Sequence, residues 1–264
     1  MGKLIEATES GLSVNGKEVL QGITIEIEQG TIVAVTGING SGKSSLIKLL
    51  AGISEPQTGN IQRYFTSYAY VPEHFPEHLS FTVRNYLQLL AGMSGGQKEE
   101  EIDYYTSLFG LESFLDTPLK KCSKGTKQKA GFIQALMKKG EVLFLDEPFT
   151  GMDEGTVQIA VDLLMERKER KTTIFTLHET ELAYQLATHI AVMEEGRLVS
   201  FLPVKQTSRV MEITYRMNEN RWKAVPLAEH TYRLMVEETD SDKMIGDILR
   251  HNGHIIEIKG RGER

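Results

Sequence analysis

Polar and apolar positions along the chain switch between a period of two and a period near 3.6. Ile23, Ile25 and Ile27 alternate with Thr24, Glu26 and Glu28, the pattern of a half-buried strand, and Gln29-Gly30 closes it. Asn15-Gly16, between Leu12-Ser13-Val14 and Lys17-Glu18-Val19-Leu20, predicts a hairpin, so residues 4–35 read as antiparallel β-structure. Residues 31–36 form a short β-branched run that reads as a buried strand, and 45–51 have helical spacing ending at Gly52. Residues 54–60 read as a turn-rich connection, 67–71 as a strand broken by Pro72-Glu73. Between Ser80 and Gly140 the strand signals vanish. Thr82 predicts a cap for a helix running through Leu90, and further helices are expected over 97–109 and 127–137.

Strand character returns at 141–145, where four consecutive apolar residues precede Asp146-Glu147-Pro148. A parallel strand covered on both faces reads this way. A helix near 155–168, a strand 172–177 ending at His178, and a helix near 179–187 follow. A hairpin of 190–193 with 197–201 turns through Glu195-Gly196. Past Pro203, strands are expected at 210–216, 231–237 and 255–259. A helix at 242–250 should turn Met244, Ile245, Ile248 and Leu249 inward and end at His251-Asn252-Gly253. The chain thus divides into residues 1–204, with a helical insert at about 80–140, and a small α/β appendage, 205–264.

The densest chemistry lies between the 31–36 strand and its helix. Gly37-Ile38-Asn39-Gly40-Ser41-Gly42-Lys43-Ser44 fits G-x-x-x-x-G-K-[ST], the phosphate-binding loop, with Ser45 behind it. Glycines let backbone N–H groups turn inward around phosphate oxygens, and the helix N-terminus adds partial positive charge. Lys43 is placed to reach the β- and γ-phosphates and Ser44 to meet Mg²⁺. The expected ligand is a nucleoside triphosphate. Asp146 and Glu147, at the carboxyl end of a parallel strand, should face the same crevice. One carboxylate for a metal and one for water suit phosphoryl transfer.

A net charge of −6 over 264 residues argues against nucleic acid as the main partner. Cys122 is the one cysteine, so an internal disulfide is impossible and a reducing cytosol is the expected setting. The first residues carry no apolar signal core, and no uncharged apolar run approaches about 18 residues, so any membrane link is expected through another protein.

Over about residues 3–203 these motifs resemble the ATP-binding cassette (ABC) family. The resemblance implies an α/β fold: a P-loop NTPase core with an antiparallel β-subdomain and a helical insert. It implies ATP and Mg²⁺ as ligands, with Asp146 holding the metal and Glu147 polarising the attacking water. His178, 31 residues beyond Glu147, matches the switch histidine, and Thr150-Gly151-Met152-Asp153 the D-loop. The signature motif has two candidates. Met93-Ser94-Gly95-Gly96-Gln97 is the better match by letter, but Ser123-Lys124-Gly125-Thr126 lies 23 residues before Asp146, where the family places it. Ser123 is therefore expected to open a helix toward the γ-phosphate held by a partner cassette. Two positions depart from the family: Glu73 replaces the Q-loop glutamine as a possible metal ligand, and Val14 stands where an adenine-stacking aromatic belongs. The implied protein is the cytosolic ATPase subunit of a transporter, most like ABC-2-type exporters. It would act as a homodimer or paired cassette on integral membrane subunits, peripheral at the cytoplasmic face. A soluble non-transport ABC ATPase and a regulatory nucleotide-binding module are the alternatives.

Overall fold

The structure, a computed structural model, describes residues 2–75, 80–93, 99–138, 140–167, 171–178, 180–204, 210–222 and 224–261. The chain forms two compact units, Met1–Val204 and Lys205–Arg264. In the first, β1 (Lys3–Val14) and β2 (Lys17–Glu28) make the hairpin, turning through Asn15 (φ 51°) and Gly16 (φ 77°). β3 (Ile32–Thr36) leads through the glycine loop into α1 (Lys43–Ala51). β4 (Thr58–Arg63) and β5 (Tyr68–Val71) precede three helices, α2 (Val83–Met93), α3 (Glu99–Leu108) and α4 (Lys124–Met137). β6 (Val142–Leu145), α5 (Glu154–Arg167), β7 (Thr172–Thr176) and α6 (Thr180–Leu186) follow, and β8 (His189–Glu194) with β9 (Arg197–Pro203) closes the unit.

Six strands form the central sheet in the order β5-β6-β7-β3-β8-β9, parallel except for β9. Alternation along its strands decides the two cores. Ile32, Ala34, Leu143, Leu145 and Phe175 face the helices of the insert together with α5 and α6. Val33, Val35, Val142, Phe144 and Ile174 face α1 and the antiparallel layer. Both faces are covered, which is why these strands read as unbroken apolar runs.

The structure departs from the sequence reading in three places within this unit. Residues 32–36 are not part of the antiparallel layer: β3 pairs in parallel with β7 and β8. Residues 58–63, expected in a turn-rich connection, form β4 on the edge of the sheet β2-β1-β4. Its exposed polar positions carry no alternating apolar signal. The third insert helix begins at Lys124 rather than at 127, while Ser123 opens it as expected, its Oγ accepting from the Thr126 N–H at 3.1 Å. The rival segment 94–98 lies outside the described residues.

In the second unit, β10 (Val210–Arg216), β11 (Val225–Ala228), β12 (Thr231–Glu237) and β13 (His254–Arg261) form an antiparallel sheet, β11-β12-β10-β13, with α7 (Glu238–Arg250). β11 went unrecognised because Pro226 interrupts four exposed positions. Ile248 packs with Ile213 and Tyr215, whereas Leu249, expected inward, is 54% exposed.

β4 also secures the helix behind the glycine loop. Arg63 donates to the carbonyls of Leu49 (2.8 Å) and Leu50 (3.1 Å), completing the negative end of α1. Arg63→Met should therefore cost about 1–3 kcal/mol in denaturant unfolding of the full chain. An unchanged midpoint would show that water serves those carbonyls equally well.

Candidate active site

The carboxyl ends of β3, β5, β6 and β7 deliver the charged residues to one edge of the parallel sheet. Beyond β3 the backbone turns through Gly37 (φ 142°), Gly40 (80°) and Gly42 (102°). A Cβ at Gly37 would stand 2.3 Å from the Met193 carbonyl oxygen and 2.7 Å from Ser41 Oγ. No side chain fits there. Ile38 is exposed at the loop tip, while Ser41 is buried and its Oγ has no hydrogen-bond partner. Lys43 folds its amine back over the loop, donating to the carbonyls of Gly37 (2.8 Å) and Ile38 (3.1 Å). Burial lowers the Lys43 pKa, opposed by the charges of Glu147, Asp146 and Glu73.

Asp146 is 2% exposed. Its Oδ1 accepts from the hydroxyls of Ser44 (2.9 Å) and Thr176 (2.8 Å). Burial raises its pKa, and those two hydrogen bonds pull it back. Glu147 sits at a φ of 48°, rare for a residue with a side chain. Its carboxylate contacts His178 Nε2 and accepts from the Thr150 hydroxyl at 3.2 Å.

A cavity of about 530 Å³ is lined by Asn39, Gly40, Gly42, Lys43, Ser44 and Ser45, joined by Glu73, Glu147 and His178. Val14 is not among its walls. It is 48% exposed beside the hairpin turn, and Val19 lines the cavity instead. The pairing of β1 with β2 shifts between Ser10 and Leu12 and again before Ser13. β2 then runs against the loop, with Leu20 Cδ2 only 2.9 Å from where a Gly42 Cβ would be.

Ser123, Lys124, Gly125, Thr126 and Asp153 lie outside the cavity lining. They are joined to one another: a Cβ on Gly125 would meet the Gly151 carbonyl oxygen at 2.1 Å. Asp153 accepts from the Thr156 hydroxyl (2.8 Å), the Thr156 N–H (2.9 Å) and Lys129 (3.1 Å), which together hold its carboxyl well below the usual range. Lys124 Nζ stands 3.7 Å from Glu73 Oε1, tying this surface to the cavity. Sequence reasoning missed Val19 and Thr176. Thr176 left a trace, since a hydroxyl inside the fully buried strand β7 must find partners.

The ABC transporter family model matches residues 20–150. An ABC transporter ATP-binding protein of Methanocaldococcus jannaschii is 31% identical over 199 residues, covering 74% of this chain and 76% of that protein. The chain belongs to the ABC transporter family. It is an ATP-binding cassette subunit with the family's ATPase activity. A bacitracin transport ATP-binding protein of Bacillus licheniformis is 28% identical to this cassette over 265 residues, covering 93% of this chain and 85% of that one. The structure of an ATP-binding subunit of an ABC transporter superposes with a TM-score of 0.69 at 25% identity, covering 76% of this chain and 90% of that one.

The glycine cradle and the unpartnered Ser41 hydroxyl suit the phosphates of ATP. Among the described residues, no group of three or more His, Cys, Asp or Glu is arranged to hold a metal ion. The Ser44 hydroxyl and the Asp146 carboxylate, hydrogen-bonded at 2.9 Å, are the oxygens that could hold a divalent ion together with phosphate oxygens. Glu73→Gln breaks the pair with Lys124 and leaves the loop's donors intact. Equilibrium ATP affinity should then stay within about tenfold, or 1.4 kcal/mol. A loss of several orders of magnitude would make Glu73 a primary ligand.

Proposed function

We propose that two copies of this cassette close head to tail on two molecules of Mg²⁺–ATP, and that hydrolysis drives separate integral membrane subunits. The observation that carries this reading is the convergence of four elements on one cavity. Lys43 and Ser44 follow β3, Glu73 follows β5, Glu147 follows β6 and His178 follows β7. Lys43 and the loop N–H groups bind the β- and γ-phosphates, and Val19 offers the base an aliphatic wall. Ser44 and Asp146 would hold the metal, with Glu73 beside them, and when bound it would supply positive charge against the transferring phosphoryl group.

Glu147 takes the proton of the attacking water as its oxygen bonds to phosphorus and the bond to ADP breaks. His178, in contact with the Glu147 carboxylate, keeps that carboxylate aimed. The N-terminus of α4, opened by Ser123 with Lys124, Gly125 and Thr126, offers its first-turn backbone and its dipole to the γ-phosphate held by the second copy. Asp153 sits on the same surface and meets that copy near the bond-breaking site.

Among the described residues no helix is long and apolar enough to cross a membrane. Attachment at the cytoplasmic face through membrane subunits accords with that. Glu73 and the Ser-Lys-Gly-Thr motif, shared in pattern with ABC-2-type exporters, favour export. The net charge of −6 disfavours nucleic acid as a partner.

Glu147→Gln tests the chemistry. The amide cannot take the water's proton, so phosphate release should fall about 100-fold or more while ATP binding persists. Turnover at the wild-type rate in this variant would remove Glu147 from the reaction.

A further inference from the structure

Glu147 holds a left-handed backbone conformation that a residue with a side chain adopts rarely, and in the turn that follows its carbonyl accepts from the Thr150 N–H at 3.3 Å. Both of its peptide groups are also held by buried side chains from other elements. The Glu147 N–H donates to Thr176 Oγ1 at 2.7 Å, and the same hydroxyl donates to Asp146 Oδ1 at 2.8 Å. On the far side, Gln128 Nε2 donates to the Glu147 carbonyl at 3.0 Å. Thr176 is 0% exposed and Gln128 1% exposed, so water cannot replace either contact.

Their places in the fold matter as much as their distances. Thr176 is the last residue of β7, two positions before His178. Gln128 lies in α4, whose N-cap is Ser123. The backbone carrying Glu147 is therefore held between the strand that delivers the histidine and the helix that opens with the expected signature.

We propose that Thr176 and Gln128 are positioning residues for hydrolysis, together clamping the Glu147 backbone so that its carboxylate meets the attacking water. The inference rests on the reading of Glu147 as the group that takes the water's proton. Thr176 does further work, because its single hydroxyl proton goes to Asp146 while its lone pair receives the Glu147 N–H. One side chain thereby fixes the spacing of the metal-holding and water-activating carboxylates. Gln128 adds a link to α4, since a displacement of that helix pulls directly on the Glu147 carbonyl.

The test compares steady-state phosphate release by the full-length chain with equilibrium ATP binding and thermal midpoints. Thr176→Val and Gln128→Met keep shape and remove the hydrogen bonds. Each should lower kcat about 10- to 100-fold, with ATP affinity within about threefold of wild type. Thr176→Ser, which keeps the hydroxyl, should stay within about threefold of the wild-type kcat. A purely structural role would shift the thermal midpoint without this split between kcat and binding. A near-wild-type kcat in either folded variant overturns the clamp, as does ATP affinity falling in step with kcat, or Thr176→Ser failing like Thr176→Val. If one variant does not fold, the other decides, because the two contacts come from separate elements. Normal turnover in Glu147→Gln would instead defeat the underlying reading. An inactive Glu147→Gln beside fully active clamp variants defeats the clamp alone.

Discussion

The site depends on a carboxylate kept out of water. Asp146 lies at the end of β6 with almost no exposure, and burial of an ionised group is costly unless partners meet it. Two hydroxyls do so, one from the start of α1 and one from the end of β7. The pair of hydrogen bonds joins the glycine loop, the β6 terminus and the β7 terminus at a single point. Around it, the two apolar cores on the faces of the sheet hold β3, β6 and β7 in parallel register. Packing sets the strand ends, and the strand ends set the chemistry.

This arrangement also explains why so few residues carry the site. Strands buried on both faces leave only their carboxyl ends for polar chemistry, so Lys43, Glu73, Glu147 and His178 each enter at such an end. The glycines of the loop give backbone donors room that side chains would fill. Lys43 meanwhile rests on the carbonyls of Gly37 and Ile38.

Much of this was legible in the chain because it is written in local pattern. The run from Ile32 to Thr36 and the glycines after it announce a strand, a turn and a helix within about twenty residues. Val142 to Leu145, followed by Asp146 and Glu147, does the same for the second half of the site. What escaped was set by register and long-range pairing. β4 is an edge strand of polar residues, so it lacks the alternation that identifies half-buried strands. Val19 rather than Val14 lines the cavity, and the bulges between Ser10 and Ser13 leave little mark on sequence. Gln128 left no signal of its role, because its partner, a main-chain carbonyl nineteen residues later, has no side-chain identity to read.

The surface from Ser123 to Thr126 is joined to the D-loop through Gly125 and Gly151, yet it stays out of the cavity that Lys43 lines. In the proposed dimer, the second copy brings this surface to the γ-phosphate end of the site. The most direct measurement of that completion is size-exclusion chromatography of the Glu147→Gln chain with Mg²⁺–ATP. Glu147→Gln should elute as a dimer with nucleotide and as a monomer without it. Adding Ser123→Arg should abolish the nucleotide-dependent dimer, and adding Ser94→Arg should leave it intact. A dimer that survives Ser123→Arg but is lost with Ser94→Arg would contradict the assignment and move the shared contact to the other glycine-rich segment.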